Sequence, residues 1–305
     1  MKDFSGKLAV ITGGGTGIGR ALAQQLAADG CSVAMCDVSQ ADMDESCTLA
    51  LADAPQGVRR VTGFVADVAI EAQLEAFRDD ALQRHETDHI HLLFNNAGIS
   101  GGGSFVETPR NVWERVFSVC WYGVYYSARV FLPALKKADA GHMINVSSVN
   151  GFWASLGPET SHTAYSAAKF AVKGFTEALV NDFRNNAPHL KASVVMPGHI
   201  GTNIALNTIR EFGDLLADDI PASDPTIAED AQARGEAFRD NGLDPTEAAK
   251  IILQGVRDER WRILVGPDAQ ALDQAVRNAP EEAYEQAFME TQVAPIMPQL
   301  AQVKE

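Results

Sequence analysis

Short apolar runs alternate with longer helix-forming stretches along most of the chain, and no other feature restricts the fold as sharply. Residues 8–12, 32–37, 59–65, 90–94, 142–147, 190–196 and 261–265 read as strands. Helices are predicted over 17–30, 42–52, 71–86, 108–136, 162–186 and 245–257, with Pro109 accommodated in a first turn. Strands that are apolar throughout need cover on both faces, which a parallel sheet with helical crossovers supplies. Such crossovers are right-handed, so the predicted class is α/β with a doubly wound parallel sheet. The rhythm fails over 199–241, expected to be an irregular, acidic, weakly helical loop. Short helices are expected over 268–277 and 281–292. Without repeats or a linker, 1–265 reads as one domain and 266–305 as a helical extension packed on it.

The first strand runs into Thr12-Gly13-Gly14-Gly15-Thr16-Gly17-Ile18-Gly19 and then into a helix. Glycines there permit positive φ and let backbone N–H groups approach a pyrophosphate, beside the partial positive charge of a helix N-terminus. This is the logic of the Rossmann fold. Asp37 closes the second strand 18 residues beyond Gly19, where an acid can accept both hydroxyls of a ribose. A carboxylate would repel a 2′-phosphate, and no Arg or Lys adjoins it. NAD is therefore expected in preference to NADP.

Tyr165 and Lys169 lie one helical turn apart. An ammonium beside a phenol is expected to bring the phenolate within reach of neutral pH. Together with Thr12-Gly13-x3-Gly17-Ile18-Gly19, Asp67-Val68, Asn95-Asn96-Ala97-Gly98, Ser148 and Pro197-Gly198-x3-Thr202, this pair resembles the short-chain dehydrogenase/reductase superfamily over residues 7–202. The resemblance implies Tyr165 as general acid/base, Lys169 as its partner and a ribose ligand, and Ser148 as hydrogen-bond donor to the reacting oxygen. It also implies cofactor contacts from Gly13, Gly15, Thr16, Gly17, Ile18, Gly19 and Asp37. Asp67 and Val68 would receive the adenine, Asn95 would steady the sheet, and Ala97 and Gly98 would lie against the cofactor. Pro197, Gly198, Ile200 and Thr202 would surround the nicotinamide. The implied activity interconverts a secondary alcohol and a ketone. The alternatives are an NADPH-dependent ketoreductase and an NAD-binding regulatory protein that has lost turnover. A homodimer or homotetramer, paired through the helices holding Cys120 and Tyr165, is expected.

Two departures stand out. Cys120 occupies the place where the family usually carries Asn, seven residues after Trp113. Ser148 precedes Tyr165 by 17 residues, about four more than usual, and Ser147 competes with it for the role. The longer interval suggests an apolar wall of Trp153, Leu156 and Pro158. Residues 101–107, 153–161 and 199–241 are expected to set substrate choice, with Phe212, Leu215, Leu216 and Ile220 as an apolar stripe. His162 reads as a helix-entry residue rather than a catalyst.

A net charge of −15 disfavours nucleic acid and anionic membranes as partners. The N-terminus lacks the apolar run of a signal peptide and no segment is long enough to span a bilayer, so a cytoplasmic protein is expected. Cys31, Cys36, Cys47 and Cys120 have neither Cys-x-x-Cys spacing nor partner histidines, so no metal site is expected. The sequon at Asn145 falls in a predicted buried strand and is discounted.

Overall fold

The computed structural model describes residues 1–52, 54–55, 60–155, 161–216 and 225–297; the side chains of 214–216 and 225–230 lie outside that description. Its centre is a parallel sheet of strands β1 (Leu8–Thr12), β2 (Ser32–Asp37), β3 (Val61–Val65), β4 (Leu92–Asn95), β5 (Gly141–Val146), β6 (Leu190–Pro197) and β7 (Arg262–Val265). The strand order β3-β2-β1-β4-β5-β6-β7 is doubly wound, as predicted. The winding reverses between β1 and β4, where Ala9 pairs with Leu92 and Ile11 with Phe94. At such a switch point the flanking crossovers leave on opposite faces and open a crevice beyond the strand carboxyl ends.

Helices α1 (Gly17–Ala28), α2 (Gln40–Ala52) and α9 (Pro245–Arg257) cover one face. Leu22, Leu26, Met43 and Ile252 are buried there against Ile11 and Val33. Helices α3 (Glu71–Arg84), α5 (Gly123–Leu135) and α6 (Thr163–Asn186) cover the other, with Leu74, Phe77 and Phe131 against Val10 and Leu93. β1 is buried throughout because helices press on both of its faces.

The helix expected over 108–136 is interrupted. It comprises α4 (Arg110–Phe117), a π-helical turn over Ser118–Tyr122, and α5. A π turn inserts one residue into the helical ladder and frees backbone polar groups, and such turns recur at functional sites. The segment 199–241, expected to be mostly irregular, instead forms α7 (Ile204–Leu216) and α8 (Pro225–Asn241). They cross closely enough that a Cβ on Gly235 would lie 2.5 Å from a Leu206 methyl. Mutual packing thus supplies the order that the polar sequence does not suggest.

After β7 the chain continues through α10 (Pro267–Asn278) and a short helix α11 (Gln286–Phe288) that runs into a π turn over Met289–Val293. Leu272, Ala283, Phe288, Met289, Val293 and Met297 form an apolar cluster with Val149 and Trp153. Trp153 has no exposed surface, and its indole N–H donates to the Ala283 carbonyl at 2.8 Å. It therefore anchors the C-terminal segment rather than walling a substrate pocket; Leu156 and Pro158 fall outside the described residues. No helix is long and apolar enough to cross a membrane among the described residues.

Candidate active site

From Thr12 the backbone turns through Gly13 (φ 67°) and Gly17 (φ 56°) into α1. A Cβ on Gly13 would lie 2.7 Å from the Ala97 Cα, and one on Gly19 only 2.0 Å from the Gly13 carbonyl oxygen. Both positions require glycine, because any side chain would drive one backbone into another. Thr16 caps α1 without a side-chain hydrogen bond, and no acid lies in the first turn. The helix therefore presents N–H groups and its positive end to the cleft, the arrangement that suits a pyrophosphate. Asn96 braces the turn: its Nδ2 donates to the carbonyls of Thr12 and Gly13, each at 3.0 Å. Thr12 Oγ1 in turn accepts from the N–H groups of Asn96 and Ala97, both at 3.1 Å. The sequence places Asn96 in a motif without giving it this task.

The crevice is a cleft of about 1730 Å³. Gly13, Thr16, Gly17, Ile18 and Asp37 line one end, and Asp67, Val68, Ala97 and Gly98 its middle. Ser148, Tyr165 and Lys169 line the other end, facing Pro197, Gly198, Ile200 and Thr202. Three expected cofactor residues do not line it. Gly15 donates its N–H to Asp37 Oδ2 at 2.9 Å and accepts from Ser46 Oγ at 2.8 Å, so it fixes the acid instead. Gly19 packs on Gly13. Asn95 is buried, donating to Asn145 Oδ1 at 2.7 Å, while Asn145 Nδ2 reaches Thr176 Oγ1 at 2.9 Å. That chain ties β4, β5 and α6 together below the cleft. The cradle, the acid and the glycine-lined floor fit a dinucleotide.

At the far end, Tyr165 and Lys169 project together from α6, with Lys169 Nζ 5.4 Å from the phenol ring centre. Nζ is buried and donates to the Val146 carbonyl at 3.0 Å. Ser147 Oγ is committed to the Lys169 carbonyl at 2.8 Å, which leaves Ser148 as the hydroxyl that hydrogen-bonds Tyr165. The expected acidification of the phenol is absent in the protein alone. Burial raises the Tyr165 pKa and the nearby Cys120 adds to the rise, with the Ser148 hydrogen bond opposing it. Burial also lowers the Lys169 pKa, so the ammonium that should stabilise a phenolate is itself held back by desolvation. Asp37 shows the same effect, its carboxyl raised by burial against the N–H groups of Gly15, Ser39 and Val38.

The family model for short chain dehydrogenases matches residues 7–211. A protein of Mycobacterium tuberculosis that carries the oxidoreductase name SadH is 36% identical over 280 residues, covering 91% of this chain and 92% of its own. Levodione reductase of Leifsonia aquatica is 31% identical over 210 residues, 68% of this chain and 75% of its own. The crystal structure of a short chain dehydrogenase/reductase from Burkholderia phymatum in complex with NAD superposes with a TM-score of 0.76 at 33% identity. That likeness covers 91% of this chain and 96% of the other. The chain belongs to the short-chain dehydrogenase/reductase family. It is an oxidoreductase of that family, with the fold of a nicotinamide-dependent enzyme.

Within this oxidoreductase, Cys120 sits inside the π turn, fully buried, and its thiol donates to the Ile99 carbonyl at 3.1 Å. Gly98 separates it from Lys169: a Cβ there would lie 3.5 Å from Nζ and 3.8 Å from Sγ. Burial raises the thiol pKa, although Lys169 opposes the shift, so Cys120 is a neutral thiol. Arg115 is a residue that sequence reasoning missed. It donates to Asp67 Oδ2 at 2.7 Å and to Glu211 Oε1 at 2.6 Å, joining the middle of the cleft to α7. No local motif announces it, because its partners lie 48 and 96 residues away.

Of the three segments expected to govern substrate choice, only 199–241 lines the cleft among the described residues. Gly101 and Gly102 take positive φ and pack under Phe212 and Ala164, which turns their loop away. Phe212 itself joins Val116, Cys120 and Ala164 in a cluster, so it packs rather than forming a pocket stripe. The side chains of Leu215 and Leu216, and all of Ile220, lie outside the described residues. His162 and Met297, neither expected, both line the cleft.

Proposed function

We propose that this protein is an NAD-dependent oxidoreductase that interconverts a secondary alcohol and a ketone, as a short-chain alcohol dehydrogenase or carbonyl reductase. The observation that carries this reading is the meeting of Ser148, Tyr165 and Lys169 at one end of the cleft whose other end is the glycine cradle. The relative named levodione reductase, and the family structure with bound NAD, support it. Asp37 supports NAD over NADP, since its carboxylate faces the cleft next to Gly15 and would oppose a 2′-phosphate.

A nicotinamide cofactor held in the cleft would accept or supply the hydride. Tyr165 Oη would take the proton of the alcohol during oxidation and return it during reduction. Ser148 Oγ would donate to the substrate oxygen as charge develops there, a type of contact worth about 2.7–4 kcal/mol. Lys169 would hold positive charge beside the phenol, and its buried Nζ is positioned by the Val146 carbonyl. Because burial raises the phenol pKa, the base form of Tyr165 gains population as pH rises. Oxidation should therefore accelerate with pH and reduction should not.

The experiment is NADH formation on a panel of secondary alcohols by wild type and Tyr165→Phe. The substitution should cut turnover by at least ~100-fold while NAD still binds by calorimetry. An unchanged rate would refute the mechanism. Tight NAD binding with no turnover of any alcohol or ketone would mark a binding protein instead.

The same reading extends to assembly and location. Residues 1–265 with the extension act as one unit in a homodimer or homotetramer, through an aromatic face containing Tyr122, Tyr125 and Phe170, which are 40%, 37% and 40% exposed. The four free cysteines suit a reducing compartment such as the cytoplasm.

A further inference from the structure

His162 stands immediately before α6, three residues ahead of Tyr165, and lines the substrate end of the cleft. Its ring meets the Tyr165 ring edge-on, with centres 5.6 Å apart and planes at 74°. The residue caps α6 without contributing a side-chain hydrogen bond, so holding the helix start does not account for the imidazole. No hydrogen bond to the ring exists among the described residues. Among the described residues, Nδ1 is sealed from solvent without a partner; Nε2 is not among the sealed, unpartnered atoms.

This asymmetry fixes what the ring can offer. A buried N–H without an acceptor is rarer in folded proteins than a buried acceptor without a donor. The favoured tautomer therefore leaves Nδ1 bare and places the proton on Nε2, at the accessible edge. Burial holds the His162 pKa down to about 4, so the ring is neutral at physiological pH and presents one N–H rather than a charge. One neutral donor beside the reacting centre matches one acceptor oxygen on the substrate.

We infer that His162 is a substrate-binding residue whose Nε2–H donates to a second oxygen, a carbonyl or hydroxyl borne within two carbons of the carbon that is oxidised or reduced. Resting on the alcohol/ketone reading above, this narrows the substrate class to compounds oxygenated at neighbouring positions, such as hydroxyketones, diketones and vicinal diols. Ser148 and Tyr165 engage the reacting oxygen; His162 engages the other and selects which of the two reacts.

The test compares reduction of cyclohexanone with reduction of 2-hydroxycyclohexanone, using NADH, by wild type, His162→Phe and His162→Gln. Phe keeps the ring contact with Tyr165 but has no donor, whereas Gln restores one. Wild type should favour the hydroxyketone by about tenfold in kcat/KM, the order expected of one hydrogen bond left unmade. In His162→Phe that ratio should fall to about one, chiefly through KM, and in His162→Gln it should recover in part. A wild-type ratio near one overturns the inference, as does a parallel loss on both ketones in His162→Phe, which would mean a structural role. If wild type oxidises alcohols of the panel above but reduces neither ketone, the inference alone falls; if it binds NAD and turns over no alcohol or ketone, the proposed function falls and the inference with it.

Discussion

Replacing Arg115 by Met should cost about 2–3 kcal/mol of stability and loosen α7. The guanidinium is held in two charge-assisted hydrogen bonds, and the side chains of Arg115, Asp67 and Glu211 are 20%, 21% and 27% exposed. Burial works against its charge, yet the two carboxylates more than offset this and raise its pKa. Hydrogen bonds to charged groups contribute about 1.5–3 kcal/mol each, whereas fully exposed pairs contribute at most about 1. Partial exposure places each of these between the two ranges, at about 1–1.5 kcal/mol. Met preserves the packing of the aliphatic stem, so the loss reports mainly on charge. Urea unfolding should show a lower midpoint with an unchanged slope. Glu211→Gln, which releases only the α7 arm, should show about half the loss. Trypsin should cleave after Arg210, on α7, about tenfold faster in both variants, because cleavage follows local opening. An Arg115→Met protein within 0.5 kcal/mol of wild type would mean that solvent already satisfies these groups, and the bridge would hold nothing.

Asp37→Asn should narrow the preference for NAD over NADP by at least ~10-fold in Kd, since it removes a charge that opposes the 2′-phosphate; calorimetric titration with both cofactors checks this. Cys120→Asn should change kcat less than about threefold, because the thiol already makes a hydrogen bond to the Ile99 carbonyl. A large gain in steady-state rate would show that the native thiol limits turnover. His142 has 1% exposure, donates Nε2–H to Ser193 Oγ, and has its pKa lowered to about 3 by burial. The unfolded chain binds this proton below about pH 6.5 and the folded chain does not, so stability should fall as pH drops. The loss attributable to this residue should reach about 2 kcal/mol at pH 5. Urea midpoints at pH 7 and 5 measure the slope, which His142→Gln should flatten.

The alternation of strands and helices, the glycine cradle and the spacing of Tyr165 and Lys169 were legible because each is local. A strand buried on both faces must be apolar, a turn with positive φ must use glycine, and residues four apart on a helix must share a face. What failed was nonlocal. Helices α7 and α8 read as loop because their order comes from packing on one another. Trp153 read as pocket wall because its partner, the Ala283 carbonyl, is 130 residues away. The acidity of Tyr165 was read from a neighbouring cation, but pKa depends on burial from every side, and burial prevails in the protein alone.

The chain by itself therefore determined which backbone could hold a dinucleotide and which helix would carry the phenol and amine, since one or two turns of backbone fix those relations. Only the tertiary structure decided that Ser148 rather than Ser147 faces Tyr165, that Arg115 bridges Asp67 to Glu211, and that His162 lies in the cleft with an unpaired nitrogen. Each of those outcomes depends on which surfaces meet and exclude water when distant segments pack, and no local stretch of sequence encodes that.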